Sequence, residues 1–169
     1  MSRSAHKQLC MNHIEIERKF LVKSADFKDQ ATGCSHFVQG YITSAPAKTV
    51  RVRIADDKAY LTIKGSGSAS GMSRFEWEME IPGKDALALL GICEGGVIEK
   101  DRYFVPFGGH IFEVDEFFGD NEGLVMAEVE LSSEDEAFEK PEWLSDEVTG
   151  DPRYYNSSLR KYPYIQWNR

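Results

Sequence analysis

The sequence predicts a mainly β domain of the α+β class: an antiparallel meander of eight strands, either left open or closed into a barrel. Three observations predict it. Eight segments read as strands, at 13–22, 36–43, 49–55, 59–64, 73–81, 97–104, 110–117 and 125–131. Several of the joints between them are short and turn-like, as in "ADDK", "GSGSASG" and "PFGG". Nearly every segment alternates charged and apolar residues with the period of two that a half-buried strand shows.

The chain bounds are those of one soluble domain. Its 169 residues suffice for a core, and 41% hydrophobic with 28% charged residues is an ordinary globular balance. There is no repeat of solenoid length and no apolar run near the ~20 residues that span a bilayer. Residues 1–12, "MSRSAHKQLCMN", carry no long apolar segment and read as a flexible tail rather than a secretory signal. The three cysteines, Cys10, Cys34 and Cys93, are odd in number and widely spaced. They fit neither a disulfide framework nor a zinc site, so a cytoplasmic location is the default. A net charge of -8 argues against a broad basic surface for duplex DNA while leaving room for a local basic pocket.

Four helices are expected in the gaps. Residues 24–31 open on Ser24, a capping residue, and 84–92 place Leu and Ala at helical spacing. Residues 132–140 carry acids in a first turn, where the helix dipole favours them. Residues 151–162 suit a short terminal helix.

The strand faces carry the chemistry. Taking every second residue, strand one presents Glu15, Glu17 and Lys19, strand three Arg51 and Arg53, and strand four Thr62 and Lys64. Strand five presents Glu76, Glu78 and Glu80, strand six Lys100 and Arg102, strand seven Glu113 and Asp115, and strand eight Glu128 and Glu130. The opposite faces are mostly apolar, although Glu99 and Asp101 make the sixth less clean. A solvated face of an antiparallel sheet explains any one strand. It does not explain the set. The positions are almost all fully charged, and charge is sorted, with basic strands three, four and six and acidic strands five, seven and eight.

If the sheet closes with these faces inward, six cations share one lumen: Lys19, Arg51, Arg53, Lys64, Lys100 and Arg102. Buried cations in that number repel one another unless an anion sits among them. Arginine forks and lysine point charges suit phosphate oxygens, and the carboxylates suit hard divalent cations. Together they describe a phosphoryl-transfer site.

The ordered pieces "EIERKF", "QGYI", "RVR", "TIK", "EWE", "EKDRY", "EVDEF" and "EVEL" resemble the CYTH domains, the triphosphate tunnel metalloenzymes. The resemblance runs from residue 13 to about 160. It implies an eight-stranded antiparallel barrel, a tunnel with a few short helices packed outside, occupying 13–169 as one domain whose C-terminal helix plugs one mouth. It also implies hydrolysis of inorganic triphosphate to phosphate and diphosphate with Mg²⁺ or Mn²⁺, a second metal being more weakly held. A class IV adenylyl cyclase, a thiamine or nucleoside triphosphatase, and a non-catalytic polyphosphate-binding module are the rivals. By position, Lys19, Arg51, Arg53, Lys64, Lys100 and Arg102 would bind phosphate. Glu15, Glu17, Glu128 and Glu130 would hold metal, with Asp115 a weaker candidate. Glu76 and Glu78 would assist metal or water, and Tyr41 would touch phosphate or simply pack. Glu80 falls toward the rim, and Arg18 points outward. Arg153 reads as a surface ion pair, and His13 and His36 as ordinary histidines. The implied partner is a small polyphosphate, with no nucleic acid or membrane and a homodimer left open.

Overall fold

The computed structural model describes residues 13–45 and 48–167. Nine strands run β1 (Ile14–Val22), β2 (Gly33–Ala45), β3 (Lys48–Ala55), β4 (Lys58–Gly67), β5 (Ser73–Ile81), β6 (Ile98–Phe107), β7 (His110–Phe117), β8 (Val125–Glu130) and β9 (Leu144–Glu147). Three short helices, α1 (Phe27–Gln30), α2 (Gly83–Leu90) and α3 (Asn156–Leu159), lie between or after them. The expected tail at 1–12 lies outside the described residues.

Eight strands close into an antiparallel barrel, β1-β5-β4-β3-β2-β6-β7-β8 and back to β1. The order is that of two meanders, β2 to β5 and β6 to β8, sealed by β1. So β1 does not neighbour β2, as a simple meander would require. One edge of β1 runs along β8 from Glu17 to Leu21. Its other edge is divided. Ile14, Glu15 and Ile16 pair with Phe75, Arg74 and Ser73 of β5, while Phe20 and Val22 pair with Glu147 and Leu144 of β9. Arg18 donates to Glu147 across this outer joint and stays clear of the lumen.

The barrel is inside out compared with a soluble sandwich: charge lines the lumen and the oily cores lie outside. One core joins Phe20, Phe112, Val114, Ala127 and Val129 to Phe27, Trp143 and Leu144 from α1 and the chain after β8. A second outer cluster lays α2 over β3 and β4 through Ala86, Val52 and Ala59. Gly40 permits that packing, because a Cβ there would stand 2.7 Å from Cys93 Sγ and 3.1 Å from Leu90 Cδ2. The third cluster is different. Ile98, Phe117 and Met126 sit on the lumen faces of their strands, and Leu159 of α3 packs on them, so the C-terminal segment stoppers one end.

The expectation of a helix at 132–140 is corrected: the segment is bend, turn and irregular chain. Its acids are engaged elsewhere. Glu134 accepts from Ser70 and Ser73, Glu136 takes the Ser132 amide and faces His110, and Phe138 is drawn onto Phe20 and Phe112. These contacts outweigh a dipole preference of about 0.3–1 kcal/mol per charge. The terminal helix shrinks to one turn of α3 flanked by 3-10 turns.

Candidate active site

Closure brings the inward faces around one cavity of about 680 Å³. Seven cations line it: Lys19, Arg51, Arg53, Lys64, Arg74, Lys100 and Arg102. Six carboxylates join them: Glu15, Glu17, Glu76, Glu113, Glu128 and Glu130. Tyr155, Asn156 and Ser157 come from the stopper, and Gly109, His110, Ile111 and Ser132 from the opposite rim. Tyr41 also reaches the wall, buried and bonded from Gln39 Nε2 at 3.3 Å.

Strand sorting now has a cause. Basic β4 lies beside acidic β5, and basic β6 beside acidic β7, so opposite charges meet across the ladders. Lys64 faces Glu76 with Nζ 2.5 Å from the carboxylate, and Arg102 faces Asp115 with Nε 2.6 Å away. Glu78 accepts from Thr62, Arg51 and Arg53 at 2.6, 3.3 and 3.1 Å. It holds the two arginines from the side rather than lining the cavity. Asp115 is fully buried behind Lys100 and Arg102, off the cavity wall.

On the lumen face, two described ladder positions break the rule. Glu17 stands directly opposite Glu130, and Glu113 directly opposite Glu128. Like charges in that position destabilise a sheet. Lys19 and Arg102 cover Glu128, and burial is outweighed by Lys19, Arg102 and Lys100, so its carboxyl is held well below the usual range. Glu130 has no such cover: among the described residues no cation pairs with it. Burial, with Glu15, Glu113, Glu17 and Glu76 nearby, pushes its carboxyl up. Glu113 is likewise pushed up by burial and by Glu128 and Asp115, against the pull of Arg102.

A divalent cation fits this donor set. Hard carboxylate oxygens from β1 and β8 crowd together with repulsion that a cation would relieve. Yet among the described residues no three His, Cys, Asp or Glu side chains stand in a ready metal-holding arrangement. The reason is visible: Glu15 lies on Lys64 and Arg74, and Glu17 on Lys19 and Arg74. Side-chain cations occupy the oxygens.

The basic wall is prepared for an anion. Arg51 Nε and Arg53 Nε are buried with no hydrogen-bond partner in the protein. Burial and neighbouring arginines lower the proton affinity of Lys64 and Arg53, and burial lowers Lys100 to about 8 although Asp115 holds it. In each case burial and like charge outweigh the carboxylate partner already present.

All the phosphate-binding residues expected from sequence therefore reach one cavity, as do Glu15, Glu17, Glu76, Glu128, Glu130 and Tyr41. Arg74 and Glu113 were not among the expected site residues. Both lie on the same two-residue alternation as their strands' expected members, Arg74 two before Glu76 and Glu113 two before Asp115. Arg153 pairs with Asp151 at the surface, and His36 lies between Asp101 and Glu99 outside the barrel.

A closed antiparallel barrel with an alternating-charge lumen, loaded with cations and crowded carboxylates, defines a protein that encloses a small polyanion. The profile of the CYTH domain matches residues 13–159, and the chain belongs to that family. It is 52% identical over 151 residues to an inorganic triphosphatase of Acetivibrio thermocellus, covering 89% of this chain and 95% of that protein. It is 39% identical over 150 residues to an inorganic triphosphatase of Nitrosomonas europaea, covering 86% and 95%. A crystal structure of an inorganic triphosphatase matches with a TM-score of 0.63 at 35% identity, over 86% of this chain and 93% of that one.

Proposed function

We propose that this chain is a divalent-metal-dependent hydrolase that cleaves inorganic triphosphate to phosphate and diphosphate, its tunnel domain being residues 13–169. One observation carries the reading. A cavity stoppered at one end presents seven cations, with buried guanidinium donors of Arg51 and Arg53 unpartnered. Such a wall suits a short, highly charged, flexible chain of phosphates better than a neutral or extended ligand. The activity named for both relatives is the same.

Lys19, Arg51, Arg53, Lys64, Lys100 and Arg102 would bind the phosphate oxygens, and Tyr41 would shape the wall beside Arg51. By holding the chain in one pose and spreading positive charge along it, they lower the cost of the charge that develops at the leaving oxygen. Glu15, Glu17, Glu128 and Glu130 are the oxygens that would hold Mg²⁺ or Mn²⁺, and Asp115 orients Lys100 and Arg102 from behind. When bound, the metal neutralises phosphate charge and makes water a better nucleophile. Glu76 would fix Lys64 and orient the water, and Glu78 would fix the two arginines from the side. Among the described residues, no helix is long and apolar enough to cross a membrane, and we take the cytoplasm as the site of action.

The test offers purified protein triphosphate, ATP, thiamine triphosphate and long polyphosphate, each with Mg²⁺, Mn²⁺ or EDTA. Release of phosphate from triphosphate, abolished by EDTA, is expected. Cyclic AMP from ATP would overturn the reading in favour of a cyclase, and binding without turnover of any substrate would leave only a polyphosphate-binding module.

A further inference from the structure

We propose that Arg74 is a resident counter-ion of the acidic wall: it holds Glu15 and Glu17 where a divalent cation would sit, and gives way when one binds. The inference rests on the metal-dependent reading above and adds to it an internal competitor.

The geometry is specific. Arg74 sits opposite Glu15 at the joint where β5 seals against β1. The register of β4 and β5 shifts between Lys64 and Gly67, so an irregularity in the ladder lies beside Arg74. Such irregularities re-aim side chains. Arg74 Nε lies 3.0 Å from Glu15 Oε2, and Nη2 lies 3.2 Å from Glu17 Oε1. Among the described residues no other cation spans both carboxylates. Lys19 also has Glu128, and Lys64 also has Glu76, so each keeps an acid when Glu17 or Glu15 turns away. Among the described residues, Arg74 forms ion pairs with only these two.

An arginine cannot vacate a site by losing its proton. It must move. Arg74 has the freedom to do so, because its side chain is 27% exposed, against 7% for Lys19 and 9% for Lys64. It already borders the cavity, so a guanidinium released from the carboxylates meets the polyanion space. Metal and polyanion would then favour each other: metal loading frees a cation for phosphate, and phosphate draws that cation off the metal's ligands.

The test titrates Mn²⁺ alone into substrate-free wild type, Arg74→Gln and Arg74→Lys, reading free Mn²⁺ by electron paramagnetic resonance, and melts each metal-free protein. Removing the competitor should tighten Mn²⁺ binding about tenfold in Arg74→Gln, the scale of two partly exposed ion pairs. Arg74→Lys, which replaces the two-armed guanidinium with a single ammonium on a shorter reach, should fall between. The metal-free Arg74→Gln protein should melt lower, with a larger rise on adding Mn²⁺. Equal or weaker Mn²⁺ binding in folded Arg74→Gln overturns the proposal and makes Arg74 a clamp of the joint. The metal reading survives that outcome if wild type binds. No binding by any variant sinks both. Should Arg74→Gln not fold, Arg74→Lys decides: affinity no greater than wild type overturns the proposal.

Discussion

Lys100 offers the sharpest measurement. It is 2% exposed and bonded to Asp115 at 2.5 Å and to Asn156 at 3.3 Å, yet burial still lowers it from 10.5 to about 8. The folded chain therefore disfavours its ammonium by roughly 3 kcal/mol. Between these two values the unfolded chain holds a proton on this lysine that the folded chain has released. Stability thus rises with pH through that window, and the penalty is present in full below it. Lys100→Met keeps the volume and leaves Asp115 its bonds to Arg102. In EDTA, wild type should gain about 2.5 kcal/mol over Lys100→Met between about pH 7 and pH 10. Urea unfolding at pH steps across that range measures it. The slope is the quantity to read, since the absolute difference also contains the loss of one partner for Asp115. Triphosphate added without metal should flatten the slope, because a nearby polyanion restores the proton. A difference that stays level with pH would refute both the buried-cation reasoning and the claim that the lumen awaits an anion.

Glu130→Gln should abolish triphosphate turnover while the melting temperature holds or rises, because a charge leaves the company of Glu15, Glu113, Glu17 and Glu76. Calorimetry beside a phosphate-release assay checks both halves. Gly40→Ala should destabilise by about 1–3 kcal/mol, since its Cβ would press on Cys93 and Leu90 behind α2. Denaturant midpoints measure this. Arg18→Ala should cost about 0.5–1 kcal/mol through the outer pair with Glu147 and leave turnover unchanged. A loss of activity there would mean that the joint between β1 and β9 shapes the lumen.

What could be read from the chain followed from how charge must be housed. Alternation alone put Arg51 with Arg53 and Glu128 with Glu130 on single faces, and a lumen is the place where such faces meet. Arg74 escaped because its role depends on a pairing with a residue 59 positions away, not on its own strand. Glu113 and Asp115 share a face, but barrel packing decides which of them borders the cavity and which is sealed behind Lys100. β9 has little strand character in "LSDE"; it is a strand because β1 leaves half an edge vacant. The 132–140 segment looked helical for local reasons, and distant serines and His110 claimed its acids.

The divided edge of β1 has a consequence for how the molecule is made. β1 leaves the ribosome ahead of the other described strands, yet its partners are residues 73–75, 126–130 and 144–147. Without β1, strands β2 to β8 make one open sheet, joined through the β2–β6 pairing, with its charged face in water. The strand that bears Glu15, Glu17 and Lys19 is the keystone, synthesised before every strand it closes against. Contacts of such long sequence separation form slowly. The nascent chain therefore has no enclosed lumen until β8, residues 125–130, has emerged to pair with β1.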